Sequence, residues 1–362
     1  MLIRWLAAIA AFLAGALVGI LIAGGSLTDY DAALGAFPLI TAISVVAGIA
    51  AYAAVEYAQT GGFASIASQF GTRTIVLMPI AIAINIILGQ TVAAALKVPV
   101  YLDSIGTILV GALAGPIPGA LTGLLANLLW TYVLPPPFHS DFAAPFAITA
   151  VLIGLLAGGA GRFGLLRPRP DRRAGELIAA GVVALVVVGG LALWTYTQFY
   201  EQTFTFFNPE PEGDPGALLV LVGWVIAALL VAAVVGFFAL LFLRRDASVA
   251  YVTIAGAVTG VLAAIVSAPI AANLFGGVTG AGTDFLVAFF RQQGADVLGA
   301  SFQQGLISDP IDKIVTFFVV YLILSALPRR TKARFPQGER LLDEQVEPGG
   351  GDDDAEWRGA PA

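Results

Sequence analysis

The polar side chains of this chain that could do chemistry are mainly carboxylates placed beside long apolar runs. Asp103 follows the run VPVYL, Asp284 follows the glycine-rich stretch FGGVTGAGT, and Asp309 and Asp312 lie in the segment SDPIDK. A carboxylate at the centre of a bilayer costs about 2.5–3.5 kcal/mol, so it is expected at a boundary or in a polar cavity. These residues therefore indicate binding of a ligand at the rim of a membrane domain.

Other kinds of chemistry are excluded by residues that the sequence lacks. It has no cysteine and one histidine, His139, which removes thiolate chemistry and multi-histidine metal sites. It also lacks GxxxxGK[ST], HExxH and GxSxG. Nothing in the sequence suggests nucleic-acid binding, which would need a clustered basic face on a folded module. We therefore predict no catalytic residue, metal site, cofactor or nucleic-acid partner.

Asp103 begins the most informative stretch, residues 97–130. Asp103 and Ser104 precede an apolar segment, where they either line a binding cavity or merely cap the next helix. Further along, Asn127 lies in the middle of a helical segment and would bond a neighbouring helix or, alternatively, a substrate.

Four glycines in the same stretch recur every fourth residue: Gly111, Gly115, Gly119 and Gly123. On a helix this spacing forms a bare stripe that another backbone can approach, for packing or for coupling to a partner. Pro116 and Pro118 interrupt the stripe, so we predict two short helices joined by a tight turn.

Two later stretches have the same mixture of apolar and polar residues. Residues 276–282 predict a flexible outer turn, after which Thr283 and Asp284 open a short helix whose N-terminus would suit an anionic group. The alternative is a solvated loop. Asp309 and Pro310 are predicted to start the last helix, with Asp312 and Lys313 pointing in different directions from its first turn, where acidic residues also favour the helix dipole.

The elements that must position these residues are helices in a membrane. Of the 362 residues, 58% are hydrophobic and 12% are charged, about half the charged fraction of a soluble domain. Runs long enough to span a bilayer lie at residues 2–23, 37–57, 73–95, 142–161, 175–199, 216–243, 249–272 and 310–327. With 102–134 and 273–309, the chain is predicted to be an all-α polytopic membrane protein of about ten transmembrane or re-entrant segments.

Basic residues give the expected orientation, since cytoplasmic loops are rich in Lys and Arg. Clusters at 162–173, 244–245 and 329–334 place both termini in the cytoplasm of a multi-pass plasma-membrane protein. We divide the chain into an N-terminal helix pair (1–60), a membrane domain (61–335) with a possible inserted pair (175–243), and a disordered acidic tail (336–362). The expected surroundings are membrane lipid.

The three polar stretches together resemble the substrate-binding S components of energy-coupling factor (ECF) importers. The similar segments read VPVYLDSIGTILVGALAGPIPGALTGLLANL (98–128), APIAANLFGGVTGAGTDFL (268–286) and SDPIDKIVTFFVVYLILSALPRR (308–330). The resemblance covers roughly residues 70–335. By position it implies substrate binding by Asp103, Asn127, Asn273, Asp284, Asp309 and Asp312.

The resemblance further implies capture of a vitamin or other small micronutrient at the outer face. A separate coupling subunit and two ATPase subunits would then drive import. Because similar regions occur in sensor proteins, and because this chain has additional helices, a ligand-sensing module that signals through a partner remains the alternative. A secondary transporter would be expected to keep several ionisable groups near the midplane, whereas these acids are predicted at the rims.

Overall fold

The computed structural model describes residues 2–22, 37–95, 100–170, 172–199 and 245–342, with scattered helical positions between 228 and 243. All regular secondary structure in these ranges is helical. The predicted span 216–243 lies mostly outside the described residues, as do Lys97 and the tail beyond Leu342.

Eight helices of ten or more residues precede residue 276 in the described part of the chain. They are α1 (Leu2–Ile22), α2 (Phe37–Thr60), α4 (Thr72–Gly89), α5 (Ile105–Ala114), α6 (Pro116–Tyr132), α7 (Ala147–Arg162), α8 (Ala174–Phe199) and α9 (Ser248–Phe275). The short α3 (Ala64–Ala67) precedes α4, and a π-helical turn (Gln90–Ala95) extends it. After α9 come α10 (Asp284–Gln292), α11 (Val297–Ala326) and the short α12 (Arg329–Lys332).

Among the described residues, four helical stretches are long and apolar enough to cross a membrane: Thr72–Val92, Ala144–Arg162, Ala174–Leu191 and Ser248–Phe275. Large apolar side chains stand exposed on them, including Ile80 on α4, Val186 on α8 and Ile265 on α9. Exposed apolar faces on such helices are suited to lipid. The fold is therefore that of a helical membrane protein, whereas the predicted count of about ten segments is not confirmed.

The helix pair predicted for residues 1–60 is formed by α1 and α2, which pack on each other at glycines. A Cβ on Gly15 would lie 2.9 Å from Ser44 Cα, and one on Gly48 would lie 3.2 Å from Ala8 O. Arg4 on α1 also pairs with the buried Glu56 on α2 at 3.3 Å. Small residues thus let the two backbones approach closely, as they do in other membrane helix pairs.

The glycine stripe lies where α5 and α6 pack against α7. A Cβ on Gly119 would come 2.8 Å from Gly154 O, and one on Gly123 would come 2.6 Å from Ala150 O. Gly111 also faces α7, with Ala157 as its neighbour. Gly115 forms the tight turn at φ +131°. The predicted pair of short helices is confirmed, and the contacts of the stripe are those of helix packing.

α9 and α11 pack along each other with similar closeness. A Cβ on Gly260 would lie 2.4 Å from Pro310 Cα, and one on Gly256 would lie 2.6 Å from Ile314 Cα. Pro310 is therefore inside a helix of 30 residues. The expectation that the last helix starts at Asp309 is wrong, because α11 begins at Val297, capped by the Asp296 side chain on Gly299 N.

The described parts of the basic segments meet at one end of the bundle. Arg172 N donates to Arg245 O, and the Arg167 guanidinium donates to Leu342 O. Asp246 accepts from Arg169 N at 3.0 Å. These contacts place the basic segments that begin after α7, precede α9 and follow α11 on the same side of the fold.

The predicted tail begins too early at Pro336. Leu341 is fully buried in the same apolar cluster as Leu113 and Leu166. Gln337 N donates to Leu113 O at 2.9 Å. Residues 337–342 are thus packed on the bundle, because Leu341 joins the apolar cluster and the Gln337 backbone N–H satisfies a carbonyl at the end of α5. The polar composition of this segment alone does not predict that packing.

Candidate functional site

A cavity of about 340 Å³ lies at the end of the bundle opposite the basic segments. It lies between the ends of α4 and α6, the start of α7, the middle of α11, and the loops around residues 139–143 and 279–281. This volume is in the range of pockets that hold small organic ligands, about 300–1,000 Å³.

One wall of the cavity is a non-helical segment, residues 100–104, that leads into α5. Its backbone is not bonded as a helix, and Leu102 has a positive φ of 51°. The Asp312 carboxylate on α11 accepts from Tyr101 N at 3.0 Å and from Leu102 N at 2.8 Å. Irregular backbone at membrane depth needs such partners, so Asp312 positions this wall.

Asp312 also pairs with the next residue, Lys313, in the buried middle of α11. Lys313 Nζ lies 2.5 Å from Asp312 Oδ2, 2.8 Å from Ser104 Oγ and 3.8 Å from Asp103 Oδ1. Lys313 therefore donates to the first two oxygens and forms a longer ion pair with the third. The prediction that Asp312 and Lys313 diverge at the outer rim is wrong, because the long lysine side chain folds back to its neighbour inside the bundle.

Asp309, one turn before Lys313, lines the cavity and is 6% exposed. Its carboxylate accepts from Ser267 Oγ at 3.1 Å and from Ser308 Oγ at 3.2 Å. Gln304 Nε2 in turn donates to Ser308 Oγ. Among the described residues, no lysine, arginine or histidine nitrogen lies within 4 Å of the Asp309 carboxylate.

The remaining walls are aromatic. Tyr101, Trp130, Phe142 and Phe146 line the cavity, and Phe275 supports Phe142 and Phe146 with ring centroids 5.1 and 5.9 Å away. Trp130 fits against α4 only because residue 89 is glycine, where a Cβ would come 2.3 Å from the indole ring.

Two polar groups in these walls lack hydrogen-bond partners. They are the indole N–H of Trp130 and the hydroxyl of Thr149, in side chains belonging to residues that are 8% and 7% exposed. Buried polar groups are normally paired. Both atoms are themselves buried, so they are unpaired within the packed wall and do not face the open space of the cavity.

The loop after α9 closes one side of the cavity and is held by Asp284. The Asp284 carboxylate accepts from Thr279 N, Thr279 Oγ1 and Gly280 N at 2.7–3.0 Å. The hydroxyls of Tyr101 and Thr283 are 2.7 Å apart, which joins this loop to segment 100–104. The two polar stretches predicted to share one hollow are therefore adjacent.

The opposite lip of the cavity is the loop between α6 and α7. His139 Nε2 lies 2.8 Å from the exposed Asp141 carboxylate, and Gln90 Nε2 donates to Pro137 O at 2.7 Å. Both bonds fix the loop to itself or to the end of α4.

The six predicted substrate-binding residues fall into three groups. Asp103, Asn127 and Asp309 line the cavity. Asp284 and Asp312 lie behind it and hold its walls through backbone N–H groups. Asn273 is exposed near the end of α9 and is not among the lining residues. The N-terminus of α10, which was predicted to suit an anionic group, carries the Asp284 carboxylate, and this carboxylate accepts from the loop donors Thr279 N and Gly280 N.

The contacts near Asp103 and Asn127 bear on the two roles predicted for each residue. Ser104 is the N-cap residue of α5 but makes no side-chain capping bond. Asn85 on α4 instead accepts from Gly106 N at 2.7 Å and donates to Thr107 Oγ1 at 2.8 Å. Asn127 donates to Gly123 O in its own helix at 3.1 Å and lines the cavity.

Sequence reasoning missed Lys313, Trp130, Thr149 and Ser267 as cavity residues. The sequence around Lys313 could have indicated its position. Two adjacent charged residues, Asp312 and Lys313, precede the apolar run IVTFFVVYLIL, and charges in an apolar helix are costly unless they are paired. Trp130, Thr149 and Ser267 gave no such indication, because single residues of these types are common on membrane helices.

Comparison of the chain with models of protein families, with curated proteins and with solved structures gives no match.

Proposed function

We propose that this chain is the substrate-capture membrane subunit of an ECF-type importer for a vitamin or other small micronutrient. In this proposal the chain binds the ligand in the cavity, which lies at the end of the bundle away from the basic segments. That end would face the outside of the cell. Separate coupling and ATPase subunits would complete the importer, and the chain itself would catalyse no reaction.

The observation that carries the proposal is the cavity itself. All three polar stretches, represented by Asp103, Gly280 and Asp309, contribute residues to one polar and aromatic cavity in an apolar helical bundle. Charged side chains inside membrane domains are costly and usually functional. Two of the wall segments are loops with their own internal hydrogen bonds, which suits a site that admits a ligand from one side.

The resemblance of the three stretches to S components supplies the importer part of the proposal. The motif residues have distinct positions: Asp103 and Asp309 in the cavity wall, Asp284 and Asp312 behind it. A binding wall and a supporting layer are what a capture subunit needs.

The alternative is a ligand-sensing membrane module that signals through a partner protein. It uses the same cavity and is favoured by the additional N-terminal helices α1 and α2, which an S component does not require. The two functions differ in whether ligand crosses the membrane.

The test is purification of the chain from its native membranes followed by reconstitution into vesicles. A capture subunit is expected to copurify stoichiometrically with a coupling subunit and two ATPase subunits, and the vesicles should accumulate the copurified ligand only with ATP. Copurification without any ATPase, or binding without accumulation, would contradict import and favour sensing.

A cavity-filling variant links that activity to this site. Asn127→Phe introduces a ring into the cavity at a position bonded only within its own helix, and it should abolish accumulation without dissociating the complex. Leu125→Phe is the matched control, because Leu125 lies two residues away on the same helix and is 38% exposed. Equal accumulation by both variants would exclude this cavity from the transport path.

A further inference from the structure

The charges around the cavity carry information about the ligand that the proposed function leaves open. Asp103, Asp309 and Lys313 line the cavity, and Asp312 lies directly behind Lys313. Three carboxylates therefore accompany one ammonium, a formal excess of two negative charges. The other charged side chain of the lining, Asp141 at the lip, is also acidic.

The one ammonium in this set is already occupied. Lys313 Nζ is within 2.8 Å of both Asp312 Oδ2 and Ser104 Oγ, with Asp103 Oδ1 at 3.8 Å. An anionic ligand would have to displace one of these bonds and would meet Asp103 and Asp309 as well. Electrostatic repulsion and the loss of a buried pair both oppose this.

Among the described residues, no cationic side chain is in direct contact with Asp309. It is 6% exposed, and its contacts are two serine hydroxyls at 3.1 and 3.2 Å. Hydroxyl donors stabilise a carboxylate less than a positive charge does. A buried carboxylate is normally paired with a cation, and the open side of Asp309 is the cavity.

The aromatic walls describe the rest of the ligand. Tyr101, Trp130, Phe142 and Phe146 supply aromatic rings, which attract cations and stack on flat apolar groups. The ligand should therefore also carry a flat apolar group.

We propose that the cavity binds a small aromatic organic cation, with its positive charge at Asp309 and Asp103 and its ring among the aromatic side chains. This inference rests on the proposed capture function for its biological meaning. The binding itself requires neither import nor a partner subunit.

The test uses the purified full chain and three probes that share one benzene ring and differ in charge: benzyltrimethylammonium, benzyl alcohol and benzoate. Binding is followed by isothermal titration calorimetry and by tryptophan fluorescence. The cation should bind at least about tenfold more tightly than the alcohol, and benzoate should bind most weakly. Asp309→Asn should weaken binding of the cation about 10- to 100-fold, as expected when one partner of a buried charge pair is neutralised, and should leave the alcohol unaffected.

Asp296→Asn is the matched control for the loss of one negative charge. Asp296 caps α11 at an exposed position, and asparagine caps helices equally well. This variant should bind benzyltrimethylammonium as the original chain does. Melting temperatures of both variants within a few degrees of the original chain exclude misfolding as the cause of lost binding.

Three results would overturn the inference. Equal binding of the cation and the alcohol would mean that the Asp309 carboxylate contributes no charge to ligand binding. Tighter binding of benzoate than of the cation would assign the cavity to anions. No binding of any probe would show that the cavity does not accept aromatic cations. The first two results would leave the proposed capture and import functions intact. Failure of ATP-driven accumulation in vesicles would refute import, but it would not change which probe the purified chain binds most tightly.

Discussion

Replacing Asp312 with asparagine tests whether one carboxylate holds the non-helical wall of the cavity. In the structure this carboxylate is fully buried and receives three donors: Tyr101 N, Leu102 N and Lys313 Nζ. An asparagine oxygen can still accept from the two backbone groups. The substitution therefore removes mainly the negative charge beside the ammonium.

The expected cost follows from those contacts. Breaking a buried ion pair costs about 3–5 kcal/mol. Ser104 and Asp103 remain beside Lys313, so we expect a loss of about 3 kcal/mol, at the lower end. Asp312→Ala would also leave two backbone N–H groups without partners at about 1–3 kcal/mol each, for a total of roughly 5–9 kcal/mol. Because whole domains are stable by about 5–15 kcal/mol, the alanine variant should fail to fold.

The assay is thermal unfolding of the purified full chain in one detergent, followed by intrinsic fluorescence. A loss of 3 kcal/mol should lower the melting temperature by about 5–10 °C. Lys313→Met alone should be similarly harmful, since it leaves a buried carboxylate without its cation. The double variant Asp312→Asn, Lys313→Met should melt above either single variant, because neutral groups of similar size replace both charges.

Two results would refute this reasoning. Asp312→Asn melting within 1 °C of the original chain would mean that the pair is not structural. Additive losses in the double variant would mean that Asp312 and Lys313 act independently, in spite of the 2.5 Å between their charged atoms.

Three further predictions concern packing and loop closure. Gly158→Ala should lower the free energy of unfolding by about 1–3 kcal/mol, because the new Cβ would lie 2.3 Å from Pro116 backbone atoms. Gly159→Ala is the control: this glycine has open space around it, so the variant should be neutral or stabilising in the same melting assay. Equal effects of the two substitutions would contradict the described α6–α7 contact. Leu341→Ala should cost about 2–5 kcal/mol, since Leu341 is fully buried in the main cluster, and an unchanged melting temperature would place the segment 337–342 off the bundle. Asp284→Ala removes three hydrogen bonds from Thr279 and Gly280, so hydrogen exchange of these two backbone amides should accelerate at least about tenfold. The control Asp296→Asn should leave their exchange rates unchanged. If the two amides in Asp284→Ala were as well protected as in the original chain, other contacts would have to hold the loop.

The sequence by itself determined the helical class and much of the helix pattern. Apolar runs of bilayer length predicted α1, α2, α4, α7, α8 and α9 to within a few residues, because burial in lipid requires continuous apolar length and nothing else. Pro116 and Gly115 predicted the break between α5 and α6, since proline removes a backbone donor and glycine alone tolerates φ +131° without strain. The carboxylates Asp103 and Asp309 were singled out as polar groups that need a cavity or a partner, and both line the cavity.

Only the tertiary structure decided what each polar residue does. Pro310 looked like a helix start, yet α9 accommodates it at Gly260, so α11 continues through it and carries Asp309, Asp312 and Lys313 into the middle of the bundle. Whether a carboxylate lines a cavity, as Asp309 does, or supports a backbone from behind, as Asp312 does, depends on which distant donors reach it. For Asp312 the backbone donors are Tyr101 N and Leu102 N, more than 200 residues away in the sequence. They reach Asp312 only when the helices pack, so no local sequence pattern predicts the contact.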